Sequence, residues 1–511
     1  MLHRWCLLFV LPLLLFGCAV NPVTGERELA LVPESTELEL GAEQYAPSRQ
    51  MQGGDYVTEP AITAYVSEVG QRLASVSDRQ LPYEFKVIND STPNAWALPG
   101  GKIAVNRGLL TELNSEAELA AVLGHEIVHA AARHGAKGME RGLLMQGAVM
   151  AVGMASANSE YSRMAVGGAS LAAGLIGQKY SRDAEREADY YGMQYLARAG
   201  YDPQAAVDLQ ETFVRLAEGR NQNWLAGLFA SHPPSPERVA ANRETARQLR
   251  AGGEIGRERY HQVMAPLLAA GEAYAAYDAG RAALADGQTE QALDQAEKAL
   301  SQVPEEALFH SLRGDIRLQQ GRYRDAVTNY DRAIARNPGY FHFYLQRGLA
   351  RDKLDQRDAA YADLNRSTEL LPTATALNAL GNLAQRRGEL PQAKQYYRAA
   401  SGSDTEAGQA AALSLARLDL ADNPGQYLSV RFGEGQQGEL LAQVQNTTGL
   451  PVTDVAVALA FTDPNGRRQQ RTLNLSGSLG PQQATVVVTG VSAAAVAGGL
   501  EGAVVRARPA E

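Results

Sequence analysis

A period of 34 residues restricts this chain more than any other feature in it. Gly280, Gly314 and Gly348 follow one another at that interval, and Gly381 comes 33 residues later. Pro304, Pro338 and Pro372 keep the same step. Ala292, Ala326, Ala360 and Ala393 stay in register, as do Ala299, Ala333 and Ala400, with Ser367 filling the remaining place. Small residues at fixed positions let paired helices approach closely, and proline marks the end of one unit before the next begins. Such a unit cannot bury its apolar face alone, so four of them predict a stacked, all-α solenoid over 273–422 that ends in a capping helix. Its concave surface is of the kind that holds other proteins.

The period resembles the tetratricopeptide pattern, and it leaves most of the 511 residues to be explained. A length of this size implies several domains. After Asn423-Pro424-Gly425 the periodicity changes from helical to alternating, with candidate strands at Tyr427–Phe432, Leu440–Val444, Val455–Phe461, Arg471–Leu475, Thr485–Val488 and Ala503–Ala507. These predict a small all-β sandwich over 426–511. Asn446-Thr447-Thr448 fits a glycosylation sequon and is read as incidental. At the other end, Arg4 and the apolar run Trp5–Phe16 have the form of an export signal over 1–17, too short to span a bilayer comfortably. The run closes on Leu15-Phe16-Gly17-Cys18, which resembles a bacterial lipobox with Cys18 as the lipidated residue. Cys6 falls in the removed leader, so lipidation of Cys18 would leave no free thiol and no disulfide. The net charge of −9 and the lack of a basic run exclude a nucleic-acid partner.

Between leader and repeats lies the chemistry. Asn21-Pro22-Val23-Thr24-Gly25-Glu26-Arg27 reads as a turn-rich tether, Glu34–Tyr45 as the start of a helix and Ile62–Leu73 as an amphipathic one. Tyr83–Ile88 alternates like a strand, and Asn94–Leu98 is followed by a turn at Pro99-Gly100-Gly101 and a return strand. Gly100, Gly101, Lys102, Ile103 and Ala104 are therefore expected to offer an edge to an extended peptide. Asn114 or Ser115 can cap the helix that follows, and this helix carries His125-Glu126-Ile127-Val128-His129. Two histidines four apart share a helix face, so both imidazoles can reach one ion, and the glutamate beside the first can reach a water there. A catalytic zinc needs three protein ligands and one open position. Glu185, on a later helix starting near Tyr180, is the best third ligand, and Asp189 one turn on is placed to orient a histidine. Glu187 points to another face. His134 reads as a surface residue near the helix end. His232 is open to three readings: a transition-state donor, a removable fourth ligand, or a loop histidine away from the site. The charge-poor stretch 138–179 reads as a mobile helical hairpin near the site, a lid or a membrane-touching element.

His125-Glu126-x-x-His129, with Ser181-Arg182-x-x-Glu185-x-x-x-Asp189 and Asn94-Ala95-Trp96-Ala97-Leu98-Pro99-Gly100-Gly101, resembles the gluzincin family of HtpX, Oma and BepA-type zinc metalloproteases. The tether Asn21–Gly25 resembles that of the family's lipoprotein members, and the resemblance covers about Cys18 to Gln248. It implies an α+β zincin-type domain with one Zn2+ per chain held by His125, His129 and Glu185, and Glu126 as the base. It further implies that His232 and Arg238 match a His-Pro…Arg loop in which the histidine can cap the zinc and hold the enzyme latent. The expected architecture is multidomain: leader 1–17, metalloprotease domain 18–250, helical linker 251–272, tetratricopeptide solenoid 273–422 and β-sandwich 426–511. Two functions fit it. One is a zinc endopeptidase of the bacterial envelope, a periplasm-facing and outer-membrane lipoprotein that cleaves unfolded or misassembled envelope proteins recruited by the repeats. The other is a lipid-anchored chaperone or assembly scaffold with latent or minor proteolysis.

Overall fold

The computed structural model describes residues 18–146, 180–219, 231–250 and 252–510. The leader expected over 1–17, and all but the start of the hairpin expected over 138–179, lie outside the described residues. Among the described residues no helix is long and apolar enough to cross a membrane.

The segment read as a tether is ordered. Strands β1 (Cys18–Val20) and β2 (Arg27–Leu29) pair antiparallel around a turn. Asn21 Oδ1 accepts hydrogen bonds from Val23 N and Thr24 N at 2.9 and 3.3 Å, the Asx turn that a short polar side chain makes locally. Helix α1 (Glu34–Met51) and helix α2 (Pro60–Ala74) follow, the second with proline in its first turn and Ile62, Val66, Val69 and Leu73 on its buried face.

A three-stranded sheet comes next, in the order β3 (Glu84–Ile88), β5 (Lys102–Asn106), β4 (Ala95–Leu98). β5 runs antiparallel to β4 and parallel to β3. The expected peptide-binding edge is therefore displaced. Gly100 and Gly101 form the tight turn, with φ of +77° and +80°, and Lys102, Ile103 and Ala104 lie on the central strand. A central strand spends its main-chain donors and acceptors on both neighbours, so it has none left for a substrate. The hairpin exists, but the strand it leaves at the margin is β4.

Helix α3 (Glu116–Ala131) carries the metal motif. Ser115 caps it by accepting from Glu118 N at 3.2 Å, while Asn114 N donates back to Glu118 Oε2 at 2.8 Å. Every residue of α3 except His125 is buried, which its apolar composition on all sides requires. α3 ends at Ala131, and Arg133, with a φ of +62°, reverses the chain into α4 (His134–Gln146). Helices α5 (Arg182–Arg198), α6 (Gln204–Gly219) and α7 (Pro236–Gln248) complete the shell around it.

α8 (Arg257–Ala269) leads to the helix pairs α9/α10 (Gly271–Ala285, Thr289–Gln302), α11/α12 (Ala307–Gln319, Tyr323–Arg336) and α13/α14 (Phe341–Lys353, Arg357–Leu370). The glycine column works as expected. A Cβ on Gly314 would lie 2.6 Å from the Tyr330 ring, and one on Gly348 2.9 Å from Leu364. Ala292, Ala326 and Ala360 are fully buried between helices. One hydrophobic core runs from Val23 through α3 and on to Phe343, so the first repeats share a core with the metal-helix domain. Glu306 ties the two together, accepting from Thr58 Oγ1 (2.6 Å), Asn89 Nδ2 (3.1 Å) and Tyr274 OH (2.6 Å).

This compact unit ends at Leu371, and a second begins at Pro372. The second unit holds the fourth pair, α15 (Ala374–Arg386) and α16 (Leu390–Ala400), the capping helix α17 (Glu406–Asp419), and six strands. These strands are β6 (Leu428–Glu434), β7 (Glu439–Asn446), β8 (Val452–Thr462), β9 (Arg468–Asn474), β10 (Ala484–Ser492) and β11 (Gly498–Pro509). They form two antiparallel sheets, β10-β7-β6 and β11-β8-β9, that enclose Leu428, Val444, Val457 and Val504. Asn446 is fully buried and its Nδ2 donates to Leu450 O and Gly480 O, which leaves no nitrogen for a glycan.

Candidate active site

The site forms where α5 crosses α3. Gly124 and Gly192 permit the crossing: a Cβ on Gly192 would stand 3.2 Å from His125 N, and one on Gly124 3.3 Å from Gly192 O. The start of α5, capped by Ser181 Oγ accepting from Ala184 N, thereby brings Glu185 over the face that holds His125 and His129. His125 Nε2 and His129 Nε2 are 3.0 Å apart. Glu185 Oε2 is 3.6 Å from His125 Nε2, and Glu185 Oε1 is 3.4 Å from His129 Nε2. His232, on the loop before α7, joins them with Nδ1 2.9 Å from Glu185 Oε1 and 3.2 Å from His125 Nε2. All four ligand atoms lie within 4.8 Å of one another.

This set fits a zinc ion. Bonds of about 2.0–2.1 Å at tetrahedral angles put neighbouring donor atoms about 3.3 Å apart, and imidazole and carboxylate are donors that zinc accepts. The electrostatics agree. Burial lowers the His129 pKa well below the usual imidazole value, which keeps a lone pair available. Burial alone would push Glu185 up, but His232, His129 and His125 outweigh it and hold the carboxyl well below its ordinary range.

Each ligand is braced from behind. Asp189 Oδ1 lies 3.1 Å from His125 Nδ1. Arg238 donates to Asp189 from Nε and from a terminal nitrogen, both at 2.7 Å, and its other terminal nitrogen is 3.0 Å from Glu185 Oε2. The sequence reading grouped Arg238 with the catalytic residues. In the structure the guanidinium faces two buried carboxylates and the Pro233 carbonyl, contacts that suit a positioning role. His134 needs correction, since only 2% of it is exposed and its Nδ1 is 2.9 Å from His129 Nδ1. The reversal at Arg133 is what folds it inward. Tyr180, which the sequence analysis used only to mark a helix start, stacks on the His129 ring with centroids 3.9 Å apart. Glu187 stays away from the ligand atoms as expected, yet its Oε1 is 3.3 Å from His134 Nε2.

Glu126 is buried beside the cluster, and its Oε2 has no hydrogen-bond partner among the described residues. Burial raises its pKa, partly offset by His232 and His125. His232 Nε2 is 3.6 Å from Glu126 Oε1, and Glu185 and Glu126 together raise the His232 pKa against the cost of burial. Beside His125 and Glu126 opens a small cavity of about 40 Å³. Ala95 of β4, Val122, Met193, Leu209 and Phe213 are among its mostly apolar walls.

The model of peptidase family M48 matches residues 60–246, and the tetratricopeptide repeat model matches 277–341 and 312–375. Metalloprotease YcaL of Escherichia coli K12 is 35% identical over 185 residues, which cover 35% of this chain and 70% of that one. A putative beta-barrel assembly-enhancing protease of Vibrio cholerae is 35% identical over 234 residues, or 44% of this chain and 47% of the relative. The beta-barrel assembly-enhancing protease of E. coli K12 is 31% identical over 221 residues, or 40% and 45%. The chain thus spans just under half the length of these last two relatives.

Proposed function

Because the chain belongs to peptidase family M48, we propose that it is a zinc-dependent endopeptidase of the bacterial envelope that acts on misfolded or misassembled envelope proteins. The observation that carries the reading is the four-donor cluster with a buried, unpartnered carboxylate oxygen of Glu126 at its edge. A scaffold has no use for a carboxylate desolvated at that point, which costs free energy without a partner.

His125, His129 and Glu185 would hold one zinc ion per chain, which when bound supplies a Lewis acid that polarises the scissile carbonyl and activates a water. Glu126 takes a proton from the attacking water and passes it to the departing amine nitrogen. The upward pull of burial on its pKa suits a base near neutrality. Asp189 and Arg238 keep His125 and Glu185 in place. The substrate main chain would add along β4, the marginal strand, whose Ala95 lines the same cavity as His125 and Glu126. His232 stands among the ligand atoms, so it is read as a removable fourth ligand that keeps the site latent until displaced. The repeats present or recruit the substrate. Cys18 is lipidated and holds the chain at the outer membrane, facing the periplasm.

The test measures bound zinc and cleavage of an unfolded protein in wild type, Glu126→Gln and His232→Ala. Glu126→Gln should keep zinc and lose about 10²–10⁴-fold in cleavage. His232→Ala should keep zinc and cleave faster than wild type. Zinc-loaded protein that cleaves nothing, even with His232 replaced, would refute the peptidase reading and leave the scaffold.

A further inference from the structure

The two histidine ligands are not braced alike. His125 Nδ1 meets a carboxylate, Asp189, whereas His129 Nδ1 meets a second imidazole, that of His134, at 2.9 Å. Both of the latter rings are buried. Two facing imidazole nitrogens need one proton between them, and the far side of His134 decides which ring carries it. His134 Nε2 lies 3.3 Å from Glu187 Oε1, an ion-pair distance without hydrogen-bond geometry, and the negative carboxylate there favours a proton on the nitrogen that faces it. The His134 proton therefore belongs on Nε2, its Nδ1 is bare, and His129 must donate from Nδ1. His129 Nε2 is then left with its lone pair toward the ligand cluster, as a metal requires.

Glu187 is itself held in place. Asn21 Nδ2 lies 3.4 Å from the same carboxylate oxygen and donates to Glu28 Oε1 at 2.9 Å. Glu28 in turn pairs with Lys137 of α4 at 2.8 Å. Glu140 of α4 accepts from Leu31 N and Val32 N at 2.8 and 2.9 Å, fastening the chain just after the β1–β2 hairpin to the helix that begins with His134. The ordered turn behind Cys18 thus sits against the outer end of this series of contacts.

We propose that His134 and Glu187, braced by the turn at Asn21, form an orienting relay that fixes the tautomer and ring plane of the metal ligand His129. They are positioning residues, and the inference rests on His129 being a zinc ligand as proposed above.

The experiment uses the full chain and two substitutions that separate shape from hydrogen bonding. His134→Phe keeps a planar ring and removes the acceptor. His134→Asn places a carbonyl oxygen where Nδ1 stood, so it can still accept from His129. Zinc affinity is read by competition with a chromophoric chelator, ring orientation by the visible spectrum of the cobalt-substituted protein, and folding by the melting temperature of the metal-free protein. His134→Phe should bind zinc about 10–100-fold more weakly, the usual cost of losing a partner behind a ligand. Its cobalt spectrum should shift, while His134→Asn should stay within about threefold of wild type. Glu187→Ala, at a partly exposed position, should weaken zinc binding in the same direction and carries the test if His134→Phe does not fold. Zinc affinity in His134→Phe or Glu187→Ala equal to wild type, or His134→Asn no better than His134→Phe, overturns the relay. Wild type that binds no zinc would remove the metal site itself and the relay with it.

Discussion

Arg238→Met is the substitution that best separates positioning from catalysis. Methionine keeps most of the side-chain volume and removes the guanidinium. Four interactions go with it: two 2.7 Å bonds to Asp189, the 3.0 Å contact with Glu185 and a 3.1 Å bond to Pro233 O. Asp189 is 8% exposed and would keep His125 Nδ1 as its remaining partner among those described above. Removing one side of a buried ion pair costs about 3–5 kcal/mol, because the other charge stays desolvated and uncompensated. With a urea dependence of about 2–3 kcal/mol per molar, the midpoint should fall by roughly 1–2 M. Urea unfolding of the metal-free protein, followed by tryptophan fluorescence to which Trp96, buried on β4, contributes, measures this directly. Zinc affinity should fall about 10–100-fold as well, since Asp189 no longer holds His125 steadily. A substitution that left the midpoint and zinc affinity unchanged while abolishing cleavage would refute this reasoning and return Arg238 to direct contact with substrate.

Further consequences can be measured elsewhere in the fold. Gly192→Leu should pry α5 from α3, at about 1–3 kcal/mol for the overpacking, and weaken zinc binding by moving Glu185. Unchanged zinc affinity in that variant would show that the crossing distance does not set the site. Gly314→Ala gains about 1 kcal/mol of helix propensity, but its Cβ would lie 2.6 Å from the Tyr330 ring, so net destabilisation is expected. Urea unfolding decides the sign, and a stabilised variant would contradict the close-approach role of the glycine column. His310 gives a pH dependence away from the metal. Burial lowers its pKa, only partly opposed by the hydrogen bond to Pro304 O, so the unfolded chain binds the proton more readily. Its contribution is full above the unfolded value of about 6.5 and is lost as pH falls from there toward the folded value. His310→Gln should flatten the fall in stability between pH 7 and 5 by up to about 1.4 kcal/mol per pH unit, and coincident profiles would rule the effect out.

What the sequence determined by itself is whatever local spacing encodes. The 34-residue period located the helix pairs because Gly314, Gly348 and Gly381 pack against Tyr330, Leu364 and Tyr397 of their own hairpins, a few turns away in the chain. Alternation located all six C-terminal strands, since burial of one face acts on every second residue. The four-residue step from His125 to His129, with Glu185 and Asp189 one turn apart, was legible for the same reason: a helix turns spacing into direction. The rest needed the tertiary structure. Lys102–Ala104 looked like an edge until β3, separated from β5 by β4 in the chain, paired with it in parallel. The motif alone grouped Arg238 with the catalytic residues, and only the structure puts its guanidinium on Asp189 and Glu185. His134 looked exposed because a helix continued through Arg133 would have carried it away. Only the left-handed turn there folds it back between His129 and Glu187. Most of those contacts join residues far apart in the chain, and no periodicity along it specifies which distant groups meet once the core has closed.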